Sequence, residues 1–394
     1  MFDFTATPPL SLYIHIPWCV RKCPYCDFNS HEAYGEIPEH GYVNALIADL
    51  EQDLPAAWGR TLQSVFIGGG TPSLFTPTAM DRILTGVRTC LRLRPDAEIT
   101  LEANPGTVDR AYFRDLLGTG INRLSLGIQS FQDILLERIG RIHSAAEAIA
   151  AMEAARHAGF DNINLDLMFG LPGQTPASVV SDLETAMALQ PDHLSWYELT
   201  IEPNTPFSRH PPVRPAEDVL WDMQQAGNTH LRKGGYKRYE VSAWARGDSH
   251  CRHNLNYWRF GDYLGIGAGA HGKLTDTAAR AIIRTVKTRH PRRYLDTAHS
   301  PGRIHRRVEL TPADAVLEYA MNALRLDRGF SDADFTLATG LPIAAARTAI
   351  HACTSRKLIE HTNGIIRTTA RGRRYLDELL QYWLPAGSAH VTSA

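Results

Sequence analysis

Cys19, Cys23 and Cys26 form a C-x3-C-x2-C cluster, with the other cysteines scattered at Cys90, Cys251 and Cys353. Three chemistries suit that spacing. A zinc ion would take a fourth ligand such as His15 or His31. A thiol–disulfide centre would use Cys23-Pro24-Tyr25-Cys26 as its C-x-x-C pair. Three thiolates on a four-iron cubane would leave one iron open to a ligand. The redox reading leaves Cys19 idle, and no small thioredoxin-like unit stands apart. Zinc leaves the polar rim described next without a task. Arg21 and Lys22 lie inside the loop. Their charge is expected to lower thiol pKa values and to offset an anionic cluster.

The elements that must position these residues alternate between two periods. β-branched or aromatic runs fall at 12–16, 64–67, 99–102, 123–127, 162–167 and 193–200, with helical stretches between them. Strands alternating with helices imply parallel pairing, because parallel neighbours need crossover connections. Six units predict an α/β fold, an open partial (β/α)6 barrel rather than a closed eight-stranded one. The unusual residues come at the strand ends: the cysteine loop, 68–72 (GGGTP), Glu102, Gln129, Asp166 and Glu198. In parallel α/β folds the site lies at the carboxyl ends of the strands, so these side chains point to one rim.

After residue 200 the pattern changes. A Pro-rich connection at 203–215 precedes a helix at 216–233 and a strand at 239–244. The segments 251–258 (CRHNLNYW) and 265–272 (GIGAGAHG) look too short for helices. Residues 280–307 are dense in Lys and Arg, with Asp296 the only acid; they read first as a solvated face, with nucleic acid, or the propionates of a porphyrin or an acidic partner surface, as the other readings. Helices at 311–325, 331–339 and 343–355, a hairpin at 358–368 and a helix at 370–383 suggest a winged-helix-like module. The expected division is a barrel at 1–205, an α+β extension at 206–304 and the small module at 305–394.

The bulk properties exclude several classes. The chain has 394 residues, 44% of them hydrophobic, with 41 Lys+Arg against 42 Asp+Glu. That is neither a disordered composition nor a strongly basic one, so nucleic acid is not an expected partner. No uncharged apolar run reaches the length of a membrane span. The first ten residues lack the pattern of an export signal, so a cytoplasmic location is expected.

The cysteine loop, flanked by Tyr13-Ile14-His15-Ile16-Pro17 and by Phe28, resembles that of the radical S-adenosylmethionine superfamily. Over nearly the whole chain the sequence resembles the oxygen-independent coproporphyrinogen III oxidases and, within that group, the HemW-type haem chaperones. The resemblance implies a 4Fe–4S cluster on Cys19, Cys23 and Cys26, with S-adenosylmethionine on the fourth iron. It implies cofactor contacts from Tyr13, Tyr25, Gly69, Gly70, Thr71, Glu102, Gln129, Arg141 and Asp166. The stretch His253-Asn254-Leu255-Asn256-Tyr257-Trp258 matches the chaperones' H-N-x-x-Y-W motif, which implies haem binding with His253 as axial ligand. Cys251 is a weaker thiolate candidate. The absence of C-x-x-C-H excludes ordinary c-type attachment. The oxidases extend the cluster motif by a fourth cysteine, where this chain has Phe28, and carry a longer N-terminal segment. Both departures favour a haem carrier serving an acceptor protein, membrane-associated or not, over an enzyme that converts propionates to vinyls. Cluster and cofactor are expected to regulate transfer or formation of a homodimer.

Overall fold

The computed structural model describes residues 1–385. Six barrel strands form where the sequence places them: β1 (Leu10–Ile16), β2 (Thr61–Gly69), β3 (Arg92–Ala103), β4 (Arg123–Gln129), β5 (Ile163–Phe169) and β6 (His193–Glu198). Neighbours pair in parallel from β1 to β6. The crossovers run through helices, the longest being Glu39–Ala57, Pro77–Cys90, Ala145–Ala158 and Pro176–Ala188. Local signals start and stop them. Ser144 and Glu147 form a capping box before Ala145–Ala158, and Gly159 ends that helix in the left-handed region.

The sheet does not end with the barrel. Strands β7 (Lys237–Arg238), β8 (Ala243–Ala245), β9 (Asp262–Ile266), β10 (His271–Asp276), β11 (Ala281–Lys287) and β12 (Ile304–Glu309) extend it. The order across the twelve strands is β12-β11-β10-β9-β1-β2-β3-β4-β5-β6-β8-β7. Strand β9 pairs in parallel with β1, with Leu10 opposite Asp262 and Ile14 opposite Ile266. The parallel region therefore has a seventh strand, which runs into the start of the glycine-rich segment read above as too short for a helix.

Two further expectations change. Residues Arg252–Trp258 form a helix despite their short length. Its cap comes from far away in sequence: the Glu98 carboxylate accepts from the Arg252 and His253 backbone N–H groups, each at 3.0 Å. An anion at a helix N-terminus satisfies the free donors and meets the dipole. The basic stretch is not wholly a solvated face either. Lys287 and Arg303 are buried against Asp49 and Asp53 of the first long helix, Arg303 Nε lying 2.9 Å from Asp49. Asp49 also accepts from the Tyr294 hydroxyl at 2.8 Å.

The C-terminal module packs around Tyr319, Phe330, Phe335 and Ile366, in a cluster that also takes in Phe2, Phe260 and Ile282 from outside it. Helix Pro312–Ala323, helix Asp332–Thr339 and helix Arg347–Ser355 pack around a small sheet of β13 (Phe330–Ser331), β14 (Ile359–Thr362) and β15 (Ile365–Thr368). The expected last helix breaks at Tyr375 into Ala370–Arg374 and Leu376–Gln381. No helix among the described residues is long and apolar enough to cross a membrane.

Candidate functional site

Side chains alternate faces along a strand, and in the barrel the two faces differ in chemistry. One face carries Leu12, Ile14, Val65, Ile67, Ile99, Leu101, Leu124, Leu126, Ile163 and Leu165, all buried in the main hydrophobic core. The other carries Tyr13 and His15, Glu102, Arg123 and Ser125, Asn164 and Asp166, and Ser195. A parallel sheet buried on both faces is ordinarily apolar on both. Here the inner face encloses a cavity of about 530 Å³, lined by those eight residues with Gly69, His253, Tyr257 and others.

The cysteine loop sits over one end of this cavity. Trp18–Cys19 pairs with His31–Glu32 in a two-residue parallel ladder that closes the loop. The Gly70 N–H donates to Ile16 O and the Thr71 N–H to Trp18 O, each at 2.7 Å, tying the GGGTP turn to the loop's start. A Cβ on Gly70 would lie 2.5 Å from Trp18 O. Gly69 has a φ of +119°, and a Cβ there would meet the His15 ring at 2.6 Å. His15 cannot serve as the fourth zinc ligand in this arrangement. Its Nδ1 is bonded to the Tyr13 hydroxyl at 3.0 Å and its Nε2 to Asn29 O at 2.9 Å.

Burial pushes the Cys19 and Cys26 thiols up, and Lys22 only partly opposes this at Cys26. The expected lowering by Lys22 is present at Cys26 but is outweighed by burial, and neither cation contributes at Cys19. Both side chains are committed to backbone carbonyls instead, Arg21 to Gly140 and Lys22 to Phe28 and Ser30. A further cation beside the cysteines is Arg141. Its Nη1 is 3.8 Å from Cys23 Sγ, and its Nε is buried without a partner among the described residues.

The other rim residues fall into two groups. Tyr13, Gly69, Glu102 and Asp166 line the cavity. Glu102 accepts from the Gly69 N–H at 3.0 Å. Its pKa is pushed up to about 8 by burial, then by neighbouring Asp166, with Gly69 and Arg123 pulling the other way. Asp166 accepts from Ser125 Oγ and Asn164 Nδ2, each at 2.9 Å, and burial raises its pKa too. Gly70, Thr71 and Arg141 lie around the loop rather than on the cavity wall, and Gln129, also off the wall, accepts from the Tyr197 hydroxyl at 2.9 Å. Gln129 ends β4 with a φ of +73°, in the left-handed region that a non-glycine residue seldom adopts. Tyr25 does not face the cavity. It packs on the apolar cluster of Leu135, Met168, Leu171 and Phe207. Glu198 also lies off the cavity, 3.8 Å from Arg214, and Ser195 takes its place.

Sequence reasoning missed Arg123, Ser125, Asn164 and Ser195. Arg123 is buried at the deep end with its Nε unpartnered among the described residues, 4.0 Å from Glu98. The available signal was the polar alternate position in R-L-S-L-G and N-L-D-L.

His253 belongs to the same cavity, its ring 6.4 Å from that of Tyr13. It is only 1% exposed, and both ring nitrogens are engaged: Nδ1 with Ser64 Oγ at 3.0 Å and Nε2 with Tyr257 OH at 2.9 Å. Burial lowers its pKa to about 3, with Arg123 adding to the effect. In this arrangement both ring nitrogens are held by hydroxyl groups, so the expected axial role would require one of those two bonds to be exchanged for the iron. Cys251 is excluded as an accessible thiolate. It is fully buried, and burial raises its pKa to about 12.

A partial parallel barrel with a polar lumen under a three-cysteine loop defines a radical S-adenosylmethionine protein. Residues 13–186 match the radical SAM superfamily, and residues 310–375 match the HemN C-terminal domain. The solved structure of coproporphyrinogen III oxidase HemN from Escherichia coli shares the fold. Its TM-score is 0.81 at 23% identity, covering 96% of this chain and 90% of that one. The chain is 48% identical over 377 residues to the heme chaperone HemW of Escherichia coli, covering 96% of this chain and 98% of that protein. It is 46% identical over 381 residues to the heme chaperone HemW of Haemophilus influenzae, with the same coverages. It belongs to the HemW family.

Proposed function

We propose that this protein binds haem and passes it to an acceptor protein, and that it carries a 4Fe–4S cluster and S-adenosylmethionine. The observation that carries this reading is a three-cysteine loop closing a polar lumen, in a chain alike over 96% of its length to a heme chaperone. Cys19, Cys23 and Cys26 would hold the cluster. Bound together, a reduced cluster and S-adenosylmethionine supply one-electron chemistry.

The chain's own groups fit both. Three thiols share one short loop, and half-buried Arg141, beside Cys23, offsets their charge once they ionise. Gly69 lets the backbone come close to a ligand beneath the loop. Glu102, mostly protonated near neutral pH, keeps an O–H to donate while it accepts from Gly69. Asp166, held by Ser125 and Asn164, presents acceptor oxygens suited to ribose hydroxyls. Thr71 ties the GGGTP turn to the loop, Gln129 is held by Tyr197, and Tyr25 anchors the loop on the apolar cluster around Phe207. The acceptor protein, and a second copy of the chain, would meet the carrier at its open surface.

The test is an anaerobic haem titration of cluster-reconstituted protein, followed by transfer to an apo-acceptor. One haem per chain, with delivery that changes in the Cys19→Ala/Cys23→Ala/Cys26→Ala variant, supports the reading. A variant that delivers haem and self-associates like wild type removes the cluster from it. Formation of protoporphyrinogen IX from coproporphyrinogen III, with reductant and S-adenosylmethionine, would make the protein an oxidase.

A further inference from the structure

We infer that the haem iron is ligated by His271, at the open side of the barrel cavity, with Phe28 against the macrocycle and Arg289 facing a propionate. The inference rests on the haem-carrying reading and deepens it.

The deep histidine of the cavity, His253, spends both nitrogens on Ser64 and Tyr257. His271 is the opposite case. It starts β10, is exposed, lines the cavity, and its ring makes no hydrogen bond among the described residues. Asp27, Phe28 and Arg289 are the other exposed residues lining that side. Phe28 is 58% exposed, an apolar ring in the position where the oxidases resembled here place a further cysteine. A haem offers an apolar face, an iron that takes imidazole nitrogen, and two carboxylates. Phe28, His271 and Arg289 match these three features in order, and Asp27 disfavours a propionate on its own side.

The glycine-rich segment 265–272, which the cluster and cofactor do not explain, presents this histidine. A Cβ on Gly265 would lie 1.9 Å from the His271 carbonyl oxygen, so only glycine lets the chain cross there. A Cβ on Gly269 would meet the Asn29 side chain at 2.4 Å. Asn29 Nδ2 in turn donates to Ala268 O at 2.9 Å and Arg289 O at 2.8 Å. The end of the cysteine loop is thereby stitched to the turn that carries His271. Partial desolvation at the cavity mouth, then the charges of Arg284 and Arg289, lowers the His271 pKa and favours the neutral imidazole that binds metal.

The experiment uses full-length, cluster-reconstituted protein and ferric haem, read by absorbance and electron paramagnetic resonance. Wild type should bind one haem with the signature of a nitrogen ligand. His271→Ala should weaken binding by roughly tenfold or more and lose that signature, and added imidazole should restore it. His271→Cys should bring a thiolate signature in its place. His305→Ala, on β12, should behave as wild type. An unchanged spectrum and affinity in His271→Ala, or loss of the signature in His253→Ala alone, overturns the assignment and leaves the carrier reading standing. No saturable binding by wild type overturns both.

Discussion

Glu102→Gln isolates the electrostatics of the cavity. In the protein without bound cofactor the Glu102 pKa rises from 4.5 to about 8. Between those values the folded protein holds a proton that the unfolded chain has released. By linkage, the stability this group contributes is fully present below pH 4.5 and drains away as pH climbs to 8. At about 1.4 kcal/mol per unit the ceiling is roughly 5 kcal/mol. Glutamine has a similar shape, can accept from the Gly69 N–H, and never ionises. The variant should therefore gain on wild type as pH rises. Between about pH 6 and pH 9 the gap in unfolding free energy should widen by roughly 2–3 kcal/mol. Urea unfolding of both proteins across that range, without added S-adenosylmethionine, measures it. A gap that stays flat to within about 0.5 kcal/mol would refute the claim that Glu102 is held protonated by burial beside Asp166.

Three further outcomes are expected. Asp49→Asn leaves Lys287 and Arg303 buried with only Asp53 as anion, and should cost about 3–5 kcal/mol in chemical unfolding; a loss under about 1 kcal/mol would contradict the geometry. Gly69→Ala forces a Cβ into the His15 ring at a positive φ, and should cost roughly 2–4 kcal/mol and reduce iron and sulfide incorporation, whereas wild-type values for both would refute it. His253 has a depressed pKa of about 3 against 6.5, so its stability contribution is present above pH 6.5 and is lost as pH falls toward 3. His253→Gln should flatten that acid-side slope in pH-dependent unfolding, and an unchanged slope would show that this histidine is not held neutral.

The barrel strands and the rim were legible because they depend on local pattern. Period-two runs gave the strands, and turn residues at their ends gave the GGGTP, Glu102, Gln129 and Asp166 positions. What stayed hidden depends on contacts across long separations. The helix Arg252–Trp258 is capped by Glu98, and Lys287 and Arg303 are neutralised by Asp49 and Asp53. Neither pairing leaves a trace in the segment it stabilises. Tyr25 stood inside the cysteine motif, yet backbone direction turned its ring onto Phe207. His253 matched a motif, but spacing could not show that Ser64 and Tyr257 occupy both its nitrogens.

The pairing of β9 with β1 has a consequence for synthesis. Strand β1 lies between β2, complete by residue 69, and β9, which begins at residue 262. Until the ribosome has released that later stretch, one edge of β1 has no neighbour. An unpaired strand edge is a template for association with other chains. The emerging barrel is thus most exposed to aggregation while nearly all its own strands are already made. A chain cut after residue 205 would keep that edge permanently, and should collect in the insoluble fraction of cells that hold the full-length protein in solution.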